Sequence, residues 1–251
     1  TDVNMDKCWY LLNGVITTLT NCQNTTIVAQ NGSNNLTVYA NDTGKNIGSS
    51  QVIFNIDMGA PLTTINPNGT NWTDNNIPFT LSCTDANGCR NTEYKIISGE
   101  CNASNLINGT SDNITCNDVC QKKVCYRSID ILGNVESLKS SLLFKIDKQP
   151  PVTTDNSDSL WHNSDLLITL SAIDNGSGVF DTKYCVYNSL DSQCIPITSG
   201  LGVNISCTLG NECIKIIRYY STDNAGNIEN IKESNVVRIN KTAPSILINS
   251  P

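Results

Sequence analysis

The sequence predicts an all-β chain of three tandem antiparallel β-sandwiches, the first lacking its opening strands and the third followed by a strand-like tail. Three observations carry this. The chain is self-similar with a period of about ninety residues, apolar and polar residues alternate with period two inside each copy, and Asp, Asn and Gly cluster between the alternating runs, where turns need positive φ or a side chain that bonds its own backbone.

The repeat is anchored by Asp57-Met-Gly-Ala-Pro61 with Thr63-Thr64, which returns as Asp147-Lys-Gln-Pro-Pro151 with Thr153-Thr154 and as Asn240-Lys-Thr-Ala-Pro244, at spacings of 90 and 93 residues. Tyr126-Arg-Ser-Ile-Asp-Ile-Leu-Gly-Asn-Val-Glu136 aligns without a gap on Tyr219-Tyr-Ser-Thr-Asp-Asn-Ala-Gly-Asn-Ile-Glu229. The first unit, residues 1–57, joins this frame late: Thr1-Asp2 matches Thr84-Asp85, and Asn46-Ile47 matches Asn134-Val135. It therefore lacks the 27 or 28 residues that form the first two strands elsewhere. In the second unit, 58–147, Phe79, Leu81 and Cys83 alternate with Thr80 and Ser82, and Leu142, Phe144 and Ile146 with Lys145 and Asp147. In the third, 148–240, Ile168, Leu170 and Ala172 alternate with Thr169 and Ser171. Each run reads as a half-buried strand. Residues 241–251 resemble the opening strand of a further unit.

Composition excludes several functions. A net charge of −7 with 16% charged residues offers no basic stripe for nucleic acid or anionic lipid. No apolar run is long enough to span a bilayer. Twelve cysteines beside one histidine point to an oxidising, extracellular compartment. They fall in even numbers per unit: Cys8 and Cys22; Cys83, Cys89, Cys101, Cys116, Cys120 and Cys125; Cys185, Cys194, Cys207 and Cys213. Disulfides within units are expected. Cys8–Cys22 is the firmest pairing; proximity suggests Cys83–Cys89, Cys185–Cys194 and Cys207–Cys213, while Cys101, Cys116, Cys120 and Cys125 stay open. Twelve Asn-x-Ser/Thr sequons, at Asn24, Asn31, Asn35, Asn41, Asn68, Asn71, Asn102, Asn108, Asn113, Asn175, Asn204 and Asn240, are candidate N-glycosylation sites.

Nothing in the sequence assembles a catalytic site. There is no nucleophile elbow, metal-binding helix or phosphate loop, and His162, the sole histidine, is expected at a strand entrance. No cofactor or metal site is expected. Calcium is the candidate held open, because Asp174-Asn-Gly-Ser-Gly178 and Asp223-Asn-Ala-Gly-Asn227 carry oxygen ligands, yet neither reproduces a calcium loop and both serve as Asx turns. Trp9, Trp72 and Trp161, one per unit, are expected as core residues.

The proline and Thr-Thr opening, the tryptophan, the Thr-Leu-Ser-x-x-Asp strand and the Tyr-Ser-Thr-Asp-Asn-Ala-Gly-Asn-Ile-Glu segment resemble tandem Ig-like repeats of prokaryotic surface proteins, archaeal secreted ones among them. That resemblance implies stalks, adhesins, surface layers and filaments. The expected function is a non-enzymatic structural subunit of an extracellular filament or appendage. Copies would stack head to tail, with Ser245, Ile246, Leu247, Ile248 and Asn249 completing the next copy's open unit by strand addition. The alternatives are one window of a long covalent Ig-like adhesin or stalk, and a carbohydrate-binding spacer of a secreted hydrolase. Partners would be copies of the chain, with cell-surface or glycan ligands as candidates, no nucleic acid and no direct membrane insertion.

Overall fold

A computed structural model describes residues 4–209 and 211–247. It is all-β, with one 3-10 turn at Thr20–Cys22, and no helix among the described residues is long and apolar enough to cross a membrane. The first unit is one four-stranded sheet of β1 (Met5–Leu12), β2 (Val15–Leu19), β3 (Gly32–Asp42) and β4 (Ile47–Ile56), in the order β2-β1-β3-β4. The β1–β2 hairpin turns at Asn13-Gly14, where both residues take positive φ, as a two-residue hairpin turn requires.

The second unit contains β5 (Leu62–Asn66), β6 (Trp72–Thr73), β7 (Ile77–Thr84), β8 (Cys89–Ile97), β9 (Ile107–Asn108), β10 (Ser111–Ile114), β11 (Val119–Asp130), β12 (Lys139–Ser140) and β13 (Phe144–Asp147). Sheet β10-β7-β5 packs on sheet β6-β13-β11-β8-β9, with β12 pairing β11. Between them lie Ile77, Phe79 and Leu81 from one side and Tyr94, Val124, Tyr126, Phe144 and Ile146 from the other. The third unit repeats this with β14 (Val152–Asp155), β15 (Trp161–His162), β16 (Leu166–Ile173), β17 (Val179–Asn188), β18 (Thr198–Ser199), β19 (Gly202–Ile205), β20 (Glu212–Asp223), β21 (Lys232–Glu233) and β22 (Val237–Asn240). Sheet β14-β16-β19 faces β15-β22-β20-β17-β18, around Ile168, Leu170, Ile217, Tyr219, Val237 and Ile239.

Three expectations need correction. The tryptophans are not core plugs. Trp72 and Trp161 sit on the two-residue strands β6 and β15 at sheet edges, and Trp161 is 52% exposed, while Trp9 stacks on Tyr39 with ring centroids 5.4 Å apart on a half-buried face. Those edge strands also run parallel to β13 and β22, so the sandwiches are not purely antiparallel. Finally, period-two alternation assigns Asp147 to the solvent side, whereas it is fully buried, and Leu142 is exposed and lies outside the strand. The strand ends at Asp147, where the chain passes to the next unit and a different partner covers the side chain.

Twelve cysteines form six disulfides, Cys8–Cys22, Cys83–Cys89, Cys101–Cys125, Cys116–Cys120, Cys185–Cys194 and Cys207–Cys213. The set that spacing leaves open divides into one link from the β8–β9 connection to β11 and one short link at the start of β11. Closing such loops restricts the unfolded chain by an amount on the order of 2–4 kcal/mol each. Six disulfides belong with a secreted or surface protein.

Candidate functional site: junctions, a buried polar row and an open face

Successive units meet through one arrangement used twice. Asp57, at the end of the first unit, accepts through its backbone carbonyl a hydrogen bond from Asn134 Nδ2 (3.0 Å) and through its carboxylate one from Asn87 Nδ2 (2.6 Å). Asp147, at the end of the second, accepts at its carbonyl from Asn227 Nδ2 (2.9 Å) and at its carboxylate from the Ser177 backbone N–H (2.6 Å). The asparagines are held in turn. In Asp130…Asn134 and Asp223…Asn227 the aspartate accepts both the backbone and the side-chain N–H of the asparagine, closing a five-residue loop. Asp42…Asn46 in the first unit forms the same loop. Burial opposes ionisation of Asp130, but the Asn134 side-chain and backbone donors together with the Gly133 and Leu132 N–H groups outweigh it and hold its carboxyl below the usual range. Gly176 is required at the second junction: a Cβ there would strike the Asp147 carboxylate.

These junctions gather carboxylates. Asp57, Asp85 and Asp130 form one triad and Asp147, Asp174 and Asp223 another, with their ligand-capable oxygens within 4.8 Å of one another. The sequence reading places Asp174 and Asp223 in candidate turns but misses both triads, because their members come from three separate segments each. Oxygen-only donors suit a hard cation such as calcium. Most of those oxygens are already engaged: both carboxylate oxygens of Asp57, Asp130, Asp147 and Asp223 accept hydrogen bonds, as do Asp85 Oδ1 and Asp174 Oδ2, and Asp223 Oδ1 alone accepts three backbone N–H groups.

Inside the second sandwich lies a polar row. Thr92, Ser128 and Glu136 sit side by side across three segments, with Thr92 opposite Ser128 and Glu136 N–H bonded to the Ser128 carbonyl. Thr63 from the facing sheet drops onto this row: its hydroxyl lies 2.6 Å from Ser128 Oγ and 2.5 Å from Glu136 Oε2, and its N–H donates to Glu136 Oε1 at 2.9 Å. Lys139 pairs with Glu136 at 2.5 Å and donates to the Thr63 carbonyl. Burial raises the Glu136 pKa, but the Lys139 and Thr63 donors outweigh it and hold the carboxyl below the ordinary glutamate value. The third unit rebuilds the row as Thr182, Ser221 and Glu229, with Thr153 and Lys232. The sequence signal was present in the repeat alignment, since each residue has its counterpart, but nothing local marks Glu136 as buried.

The first unit is different. Among the described residues no second sheet covers its inward face. Val38 is 41% exposed where its register counterpart Tyr126 is 6% exposed, and Val52 on the same face is 51% exposed. An open hollow of about 380 Å³ lies at the β3–β4 turn, lined by Met5, Ala40, Ile47 and Gly48 and by the polar Asn41, Asp42 and Asn46. At the other end, Lys241–Leu247 forms no strand, and Ile246 is 86% exposed. Of the predicted assembly strand, Ile248 and Asn249 lie outside the described residues.

Ten of the sequon asparagines are exposed and two, Asn41 and Asn240, are half-buried. Asn240 Nδ2 donates to Glu212 and its Oδ1 accepts from Thr242 N–H. His162 sits at a strand entrance, 2.9 Å from Asp158.

No protein-family model and no curated protein sequence matches the chain. Among solved structures, it is similar to a tetra-tandem repeat from the extending region of a large adhesion protein, at 13% identity over 95% of this chain and 68% of that one, with a TM-score of 0.36. It is also similar to fibronectin(III)-like modules of CbhA from Clostridium thermocellum, at 13% identity over 75% and 100% with a TM-score of 0.34. The D00-D0 domain of intimin matches at 12% identity over 71% and 99%, with a TM-score of 0.32. At TM-scores below 0.5, none of these likenesses bears on what the chain does.

Proposed function

We propose that this chain is a passive structural segment of a secreted or cell-surface protein, in which disulfide-closed Ig-like sandwiches are set in tandem to space and hold. The observation that carries the reading is the junction made twice, in which the last aspartate of one unit is bonded by an asparagine amide and a loop donor of the next. A linker that needed only to connect would not bury a carboxylate in the following unit, because burying an unpaired charge is strongly unfavourable. Substituting Asn134 and Asn227 by alanine tests this. Small-angle X-ray scattering should broaden as the units gain independent motion, and an unchanged profile rejects the junctions as spacers.

A second reading is head-to-tail association of copies, favoured by the open face of the first unit beside an exposed apolar tail. An uncovered apolar sheet face is an unfavourable surface that a strand from another molecule removes from water. Because donor and acceptor surfaces differ, repetition produces a filament and not a closed dimer. In both readings the role is non-enzymatic, and the partners are further units of the same kind.

A further inference from the structure

We propose that Asn113 and Asn204 carry N-linked glycans, and that these sugars keep the open edges of the two three-stranded sheets from pairing with strands of other molecules. The proposal goes beyond the spacer reading and does not depend on the junctions.

The two asparagines hold one place in the fold. β10 is an edge of sheet β10-β7-β5, and β19 an edge of sheet β14-β16-β19. Ser111 faces Thr80 and Asn113 faces Pro78, while Gly202 faces Thr169 and Asn204 faces Leu167. Because Thr80 and Thr169 are counterparts in the repeat, Asn113-Ile-Thr115 and Asn204-Ile-Ser206 are the same sequon in the same register. No other sequon of the second unit recurs in the third: Asn108 meets Ser199, for example, and Asn71 meets Leu160.

Strand geometry leaves both sequons open to modification. Side chains two apart share a face, so the asparagine and the hydroxyl residue both reach solvent, while Ile114 and Ile205 between them point into the core at 0% and 3% exposure. Among the described residues neither carboxamide has a hydrogen-bond partner, whereas Asn240 commits its Nδ2 to Glu212. Each Nδ2 is free to attack C1 of a sugar activated as a phosphate-linked lipid. The N–C1 bond forms, the C1–O bond to phosphate breaks, the lipid phosphate leaves with the electron pair, and one amide proton passes to a base.

The position decides what a sugar does here. An edge strand presents unpaired N–H and C=O groups to any strand that comes alongside, and natural edges are guarded by charge, proline or a covering element. Gly202-Val-Asn-Ile205 contains no charge and no proline, and Ser111-Asp-Asn-Ile114 a single aspartate. Every chain holds both edges, so each copy offers the others two sites of equal register. Beside Asn204, Leu167 is 59% exposed, an apolar surface that the same glycan covers. A hydrated glycan on a four-residue strand keeps a second backbone from closing to the separation of about 4.8 Å that pairing needs.

The test begins with glycopeptide mass spectrometry on the chain purified from its own secreting cells. Glycan mass is expected on Asn113 and Asn204, and bare asparagine at either overturns the proposal. The same cells then secrete the pairs Asn113→Gln with Asn204→Gln, Thr115→Ala with Ser206→Ala, and the sequon-keeping Thr115→Ser with Ser206→Thr. Each also carries Ile246→Asp, so that end-to-end growth makes no contribution. In sedimentation velocity the first two pairs should begin to associate at a concentration at least about tenfold lower than the Ile246→Asp parent, as unguarded edges do, and the third should match the parent. Unchanged behaviour of both sequon-free pairs overturns the edge guard. Association of the glutamine pair alone ties the effect to asparagine and overturns the part given to the glycan. The four side chains are exposed, so the substitutions leave the cores intact, and Asn24→Gln, which removes a sequon on an irregular connection, should change nothing.

Discussion

Glu136→Ala should loosen the second unit while leaving the third untouched. Glu136 is 5% exposed and accepts the backbone N–H of Thr63 at 2.9 Å and of Ser128 at 3.1 Å, the Thr63 hydroxyl, and the Lys139 ammonium. Alanine strands two buried backbone donors and unpairs a lysine that keeps the Thr63 carbonyl and partial access to water. A buried donor left unpaired loses about 1–3 kcal/mol. Two of them, with the lysine largely rescued by solvent, place the loss at about 2–5 kcal/mol, a range that includes the roughly 3–5 kcal/mol lost when a buried pair loses one partner. At about 1.4 kcal/mol per tenfold, hydrogen exchange at Thr63 and neighbouring β5 amides should accelerate by roughly thirty- to several-thousand-fold if these amides exchange through opening of that strand. Exchange is the suitable assay because a chain of several units does not unfold in one step, and the Thr153 amide, held by Glu229, is the internal control. Unchanged protection at Thr63, or equal loss at Thr153, would refute the claim that the polar row holds the first strand of its own unit.

Further outcomes can be checked together. Folded-state carboxyls of Glu136, Asp42, Asp130 and Asp165 lie below their ordinary values, so their contribution is complete above the unfolded pKa near 4 and is lost as pH falls through the lower folded values. The denaturant concentration at which Thr63 and its β5 neighbours lose exchange protection should hold between pH 7 and about 5 and fall below about pH 4, less steeply in Glu136→Gln. Gly176→Ala should displace the Asp147 carboxylate and raise proteolysis between residues 147 and 152, with Gly48→Ala as a control that meets open space. Thiol titration of the denatured, unreduced chain should find no free cysteine, and several free thiols would contradict the six pairings. Ile246→Asp should abolish concentration-dependent growth in sedimentation, while Leu142→Asp, at another exposed apolar site away from the tail, should not.

The sequence by itself determined the fold class, the repeat and the positions of most long strands, because alternation and turn chemistry are local properties written residue by residue. Phe79, Leu81, Ile168 and Leu170 could be assigned inward from period two alone. The turn at Asp223…Asn227 was legible because aspartate, asparagine and glycine bond or bend their own backbone, and the repeat alignment carries it to Asp130…Asn134. Tertiary structure alone decided what those same residues do at a distance. Glu136 meets Thr63 across 73 positions of sequence, and Asp147 looks like the polar end of a strand until Ser177 and Asn227 close over it. Trp161 seemed a core residue from its recurrence, yet it lies at a sheet edge, since recurrence records equivalence of position and not depth. Burial of a polar group is settled only by the partners that satisfy it, and here those partners come from the other sheet or the next unit.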